Sequence, residues 1–147
     1  MWNTGCRNVY NHLQFDLLIV DNEDTSRQLT VPGVGADGTV HHADYGGTIF
    51  PWCWNSGEVG RKAFRVYDRR GFGGDGHHKK FRESHPVLLY MFQDYGANEV
   101  YWIRPNDDGR YGWTDRQYGG EGPSSFVSLT ITGTGPKDIA VHAITTG

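Results

Sequence analysis

Between Pro105 and Gly120 the chain places Asp107, Asp108 and Asp115, the amide of Asn106, the guanidinium groups of Arg110 and Arg116, the phenols of Tyr111 and Tyr118, and the indole of Trp113. The segment is too rich in Gly to be helix. Its chemistry is recognition of a polar ligand: an indole or phenol offers a rigid flat face with little entropy to lose, while Asp, Asn and Arg hydrogen-bond hydroxyls, headgroups or a hard cation. The bland alternative is a solvated hairpin in which Tyr111 and Trp113 only cap the end of a core. Loops carry function more often than packing. The candidate ligand-binding set is therefore Trp102, Asp107, Asp108, Arg110, Tyr111, Trp113, Asp115 and Tyr118.

Other chemistries have less support. Zinc needs three or four convergent ligands. His41 and His42 on a strand point to opposite faces, and His42 shares a face with Asp44, but only the distant His85 or His142 can complete a set. Calcium accepts Asp, Asn and carbonyl oxygens in flexible geometry, so Asp107, Asp108 and Asp115, or Asp21, Asn22 and Asp24, are admissible ligands. Neither group has EF-hand spacing, and turn chemistry explains both more simply. No cofactor is expected, with calcium possible, and whether any metal is bound is left open. No GxSxG elbow is present, and Cys53 has no sequence-adjacent base or cation to activate it. The Gly71–Lys80 stretch lacks the GK[ST] ending of a P-loop. A carboxylate pair for glycoside hydrolysis is a matter of spatial separation, and nothing selects a particular pair.

Composition sets the class. A chain of 147 residues with 21 Gly, 6 Pro and 14% aromatic residues, five of them Trp, reads as one all-β domain over residues 1–147. The net charge of −3 gives no general attraction to nucleic acid or anionic membrane. Basic residues nevertheless concentrate between Arg61 and Arg82 as a candidate anion patch. Within them, Arg69 to Gly74 has the basic, aromatic and Gly-rich character of single-strand binders, a weak signal in an acidic protein, so nucleic acid is disfavoured. The N-terminus has no apolar h-region and no run reaches the length of a spanning helix. The expectation is a soluble protein, cytoplasmic or exported without a classical signal, with Cys6 and Cys53 both reduced and Cys53 buried between Trp52 and Trp54.

Strand-like alternation must supply the scaffold. Leu13, Phe15, Leu17 and Ile19 share one face of an expected first long strand ending at Asp21–Asp24. Thr48 to Trp54 is expected to be extended, with Pro51 at an edge or bulge. Phe64 and Val66 alternate with Arg65 and Tyr67. Val87 to Phe92, apolar on both faces, is the expected central strand and most buried segment. Val100 to Ile103 follows a turn at Asp94–Asn98, and Val127–Ile131 with Ile139–Ala143 form an expected closing hairpin. Gly71 to Lys80 is expected to be a mobile loop.

Two stretches resemble the actinoporin-like sandwich group, which includes sea-anemone-type cytolysins and, by fold, fungal fruit-body lectins. Val20-Asp21-Asn22-Glu23 is similar to the close of their first core strand. Gly112 to Gly120, with the paired strands to Ile144, is similar to their C-terminal Gly-Trp turn and final hairpin. The amphipathic N-terminal helix of the cytolysins has no counterpart, and of their headgroup-binding aromatics only Tyr95, Tyr101 and Trp102 fall in the corresponding region. The resemblance implies a β-sandwich that binds sugars or headgroups.

The resulting expectation is a single-domain antiparallel β-sandwich, lectin-like and non-enzymatic, binding carbohydrate or lipid headgroups. A membrane surface and a second copy of the chain are further partners it allows. The alternatives are a cytolytic or insect-toxic protein of the same fold, and a small Asp/Glu/His hydrolase, metal-dependent or not.

Overall fold

The computed structural model describes residues 3–72, 85–120 and 126–146. In chain order its elements are β1 (Gly5–Asn11), β2 (Leu17–Asp21), β3 (Gln28–Val31), β4 (His41–Ile49), β5 (Trp52–Cys53), α1 (Ser56–Lys62), β6 (Phe64–Asp68), β7 (Leu89–Asp94), β8 (Val100–Ile103), β9 (Gln117–Gly120), β10 (Phe126–Thr132) and β11 (Ala140–Thr145). They form two sheets. The first has the order β11-β10-β1-β4; the second runs β3-β2-β6-β7-β8-β9, with β5 also paired to β7. The chain is mostly β, as its composition implies. No helix among the described residues is long and apolar enough to cross a membrane.

The pairing is not purely antiparallel. β1 pairs with β10 in parallel, and β5 with β7 likewise. Parallel neighbours need a long crossover, and between β1 and β10 the chain builds the whole second sheet. β10 and β11 form the expected hairpin, with Leu129 opposite Ala143 and Ile131 opposite Val141.

β7 shows why an apolar strand can face inward on both sides. Its six residues are all buried. Leu89 and Met91 join a cluster shared by both sheets, with Cys6, Val9 and Leu129 of the first and Ile19, Val66 and Trp102 of the second. Tyr90 and Phe92 point the other way, into a smaller cluster with Cys53, Val59, Ala63 and Ile103. The expected central strand is thus present but shifted: Val87 and Leu88 precede it, and Val87 is only half-buried. β2 is equally buried.

Two expectations about the scaffold are corrected. The first strand is β1, not the Leu13–Ile19 run. Leu13 and Phe15 reach the core from a bend, because the buried Asn11 amide organises the backbone there. Its Nδ2 donates to Phe15 O (2.9 Å) and Val31 O (3.1 Å), and its Oδ1 accepts the Leu13 N–H at 2.9 Å. A buried amide with its bonds made is cheap to keep and costly to strip of partners. The Thr48–Trp54 segment is split between sheets. Phe50 N–H still bonds Thr4 O at 2.9 Å in the first, while Pro51 O accepts the Gln93 N–H at 2.7 Å in the second. Pro51, which has no N–H to leave unpaired, stands at that transfer.

Of the expected Gly71–Lys80 loop, Gly71 and Phe72 belong to a 3-10 turn spanning Arg69–Phe72. Residues 73–80, and with them most of the basic stretch after Gly71, lie outside the described residues.

Candidate functional site

The Pro105–Tyr118 segment leaves β8 and lies against the outer face of the second sheet. Its first turn is closed by its own polar groups: Asn106 N–H to Arg110 O at 2.8 Å, Gly109 N–H to Asn106 O at 2.9 Å, and Arg110 N–H to Asn106 Oδ1 at 2.7 Å. Gly109 sits at φ 81°, where a side chain would be strained. A second turn, Trp113–Asp115, is started by the Asp115 N–H donating to Gly112 O at 3.0 Å.

Between these turns the aromatic rings pack inward. Tyr111 lies 4.7 Å from Tyr90 and Trp113 stacks 5.4 Å from Phe92, both half-buried on the smaller cluster. The hydroxyl of Tyr111 rests over Gly60 of α1, where a Cβ would collide with it. Arg116 locks the second turn. Its guanidinium lies 4.7 Å from the Trp113 ring centroid and 5.3 Å from that of Tyr101, and pairs with the buried Asp94 at 2.9 Å. That ion pair is a fixed part of the scaffold, whereas Arg110–Asp108 (3.7 Å) and Lys137–Asp107 (3.9 Å) are exposed. Pairs of the exposed kind contribute about 0–1 kcal/mol, so their groups remain available to a ligand.

The arrangement opens a cleft of about 1220 Å³ between this segment and the end of the hairpin. Asp107, Arg110, Tyr111 and Asp115 line it, with Asn106, Gln117 and Lys137. The other candidates fall elsewhere. Trp102 is 7% exposed and belongs to the core, because β8 alternates: Val100 and Trp102 face the cluster between the sheets, and Tyr101 and Ile103 face outward. Its expected role as a ligand-facing ring is corrected accordingly. Asp108 is exposed and bonds its own turn, accepting the Arg110 N–H at 3.1 Å. Trp113 faces Phe92 rather than the cleft. Tyr118, 50% exposed, packs edge-on to Tyr101 at 6.1 Å outside it.

A second aromatic group lies outside the candidate ligand-binding set. Trp54 lies flat on Tyr95, with centroids 4.5 Å apart and planes at 7°, and Trp52 flanks the same ring at 5.0 Å. Trp54 is 60% exposed, and the Trp52 indole N–H donates to Asn3 Oδ1 at 2.8 Å. Beneath them Cys53 is buried, and burial pushes its thiol up to about 12. α1 supports the group: Asn55 Oδ1 accepts the Glu58 N–H (3.0 Å) while Glu58 Oε1 accepts the Trp54 N–H (2.8 Å), a near-reciprocal capping box. Asn55-Ser56-Gly57-Glu58 was the available signal for this helix, and the expected strand over Thr48–Trp54 obscured it.

In the second candidate calcium group, Asp21, Asn22 and Asp24, the polar side chains are engaged locally. Asp21 Oδ1 accepts the Glu23 N–H at 3.0 Å, Asp24 Oδ1 accepts the Ser26 N–H at 3.2 Å, and Asn22 Nδ2 donates to the carbonyls of Gly60 and Arg61. Burial raises the Asp21 carboxyl above its ordinary range. His42 packs on Tyr10, and Asp44 Oδ1 accepts the Gly46 N–H at 2.8 Å. Among the described residues, no three or more His, Cys, Asp or Glu side chains gather where a metal ion could sit. Cys6 and Cys53 are both buried and form no disulfide. Compared with protein-family models, curated proteins and solved structures, the chain matches none.

Proposed function

We propose that this chain is a non-enzymatic recognition protein of β-sandwich, lectin-like design that binds carbohydrate in the cleft beneath the Pro105–Tyr111 loop. Support for the sandwich comes from the hydrophobic cluster that both sheets share and from Gly120 of β9, which lies so close to Ala143 of β11 that a Cβ there would clash.

The observation that carries the binding reading is the lining of the cleft. Tyr111 presents part of a phenol held by Tyr90, and the cleft is also lined by Asn106, Asp107, Arg110, Asp115 and Gln117, which together supply both donors and acceptors. A sugar ring needs such a mixture: apolar contact for its C–H face and bidentate polar groups for neighbouring hydroxyls. The groups are exposed or half-exposed, so they give up little hydration before a ligand arrives.

A glycan and lipid array tests this reading. Enrichment on one glycan family is expected, with affinity lowered five- to twentyfold in Asp107→Asn or Asp115→Asn, exposed positions whose replacement leaves the fold intact. Enrichment on phospholipids alone would shift the assignment to headgroups, and retention of neither class would end it.

A further inference from the structure

Arg65 is the innermost charge of the cleft. On β6 its neighbours Phe64 and Val66 face the core between the sheets, so Arg65 emerges on the opposite face, opposite Tyr90 of β7. Its Nη2 donates to Gly60 O at 2.6 Å and its Nη1 reaches Tyr67 Oη at 3.4 Å. Nε is buried with no acceptor. Among the described residues no carboxylate pairs with this guanidinium, whereas Lys62 pairs with Glu58, Arg110 with Asp108 and Lys137 with Asp107; Arg61 and Arg104 also bond backbone carbonyls, but both are exposed to water. Burial raises the phenols of Tyr90 and Tyr111, and in both the charge of Arg65 opposes that rise, which puts the cation beside the two rings.

A half-buried guanidinium has lost part of its hydration, and without a counter-charge the bonds to Gly60 O and Tyr67 Oη compensate that loss only in part. The remaining charges of the cleft do not offset it. Arg65, Arg104, Arg110 and Lys137 line the space against Asp107 and Asp115, a local positive excess in a chain whose net charge is −3. Arginine's planar fork matches the two oxygens of a carboxylate or sulfate.

We propose that the cleft selects saccharides bearing an oxyanion, a carboxylate or a sulfate, with that group seated on Arg65 and the rim cations Arg110 and Lys137 steering it inward. This rests on the carbohydrate reading above. The oxyanion is the shared chemistry of uronate, sialate and sulfated sugars.

The experiment is calorimetric titration of the full chain with sialyllactose, galactose 6-sulfate and neutral lactose, at low salt and again in 0.5 M NaCl. One acidic sugar is expected to bind at least tenfold more tightly than lactose, and the preference is expected to shrink in high salt. Arg65→Lys, which keeps the charge and loses the fork, is expected to cut the preference to threefold or less. Arg110→Gln with Lys137→Gln, at exposed sites that leave folding untouched, is expected to lower it by a smaller factor and flatten the salt dependence; this pair keeps the proposal testable should Arg65 variants not fold. Equal binding of lactose and the acidic sugars overturns the oxyanion seat while leaving carbohydrate recognition standing. Binding of none of the three, with an array blank for all other glycans, overturns both. Undiminished preference in a folded Arg65→Lys reduces Arg65 to a cap for the last carbonyls of α1. Equal retention of anionic phospholipid vesicles or a single-stranded oligonucleotide overturns the assignment to saccharides.

Discussion

The cleft beside Tyr111 and the stacked group around Trp54 use the same side-chain types for different ends. Beside the cleft the aromatic rings serve mainly as structure: Trp113 and Tyr111 complete a cluster on the sheet's outer face, part of Tyr111 alone reaches the cleft, and the polar groups of the loop are left to face outward. Around Trp54 the order is reversed. The polar groups are consumed in capping α1, and an indole is left 60% exposed with one face supported by Tyr95. What separates them is the layer below. β7 offers Tyr90 and Phe92 to the loop as an apolar floor, whereas past the end of β7 the chain turns at Tyr95 and only another ring is available. An aromatic residue in a polar loop therefore reads as recognition or as packing according to what the sheet presents beneath it.

That contrast can be broken most forcefully at Arg116. Arg116→Ala removes the partner of buried Asp94 and the cation between Trp113 and Tyr101, and is expected to cost about 3 kcal/mol. The melting temperature should then drop by roughly 6–12 °C. An unchanged melt would mean that the second turn is not locked by this residue. Trp113→Ala comes next, at about 2 kcal/mol, less than a fully buried indole because the ring is half-buried. Glycan affinity should fall with it, since the loop loses its seat on Phe92; a variant of wild-type stability would show the ring contributes nothing to the outer cluster.

Gly60→Ala separates the cleft from the fold. Alanine gains about 1 kcal/mol in helix propensity, and the clash with the Tyr111 hydroxyl offsets it, so chemical denaturation should show a net change within about 1 kcal/mol. Cleft affinity is nevertheless expected to fall at least threefold, and an unaltered titration would show that Tyr111 does not shape the site. On the other side, Trp54→Ala loses one stacked contact, worth about 0.5–1 kcal/mol. It should leave cleft binding unchanged, and any loss there would show that the two regions are coupled.

The smallest effect concerns Cys53 beneath the stacked rings. With its thiol pushed up to about 12 by burial, alkylation by iodoacetamide at pH 8 should be undetectable by mass spectrometry in the native protein and complete in denaturant. The sign follows from proton linkage. The folded state holds this proton more tightly than the unfolded one, whose thiol titrates near 8.5, so the stabilisation is full below that pH and is lost as pH rises toward 12. A melting temperature that climbs between pH 8 and 10 would contradict it.

Much of the scaffold was legible because its signals were local. Alternation marked β6, β10 and β11, the turn at Asp94–Asn98 marked β8, and the two-sided apolar run marked β7 to within two residues. β1 was missed because Arg7 and Asn8 interrupt its pattern and a register shift lies there. β9, with Gly at two of its four positions, carries almost no strand signal. Of the candidate site, Asp107, Arg110, Tyr111 and Asp115 line one cleft as a group, and Asp108 and Tyr118 lie outside it. Trp102 was misplaced for a simple reason: an alternating strand fixes which residues share a face, but not which face is covered more deeply.

By itself, the sequence determined that this chain is mostly β, that its two cysteines need not pair, and that the Pro105–Tyr118 segment gathers polar and aromatic groups on turns. Those properties follow from residue type and short-range spacing, which act through backbone sterics and side-chain periodicity. Only the tertiary structure decided which rings are floor and which are open, and that Arg65, forty residues upstream of the loop, supplies the deepest charge of its cleft. Burial and the pairing of charges are set by residues distant in sequence that the sheets bring together. No local pattern announces them.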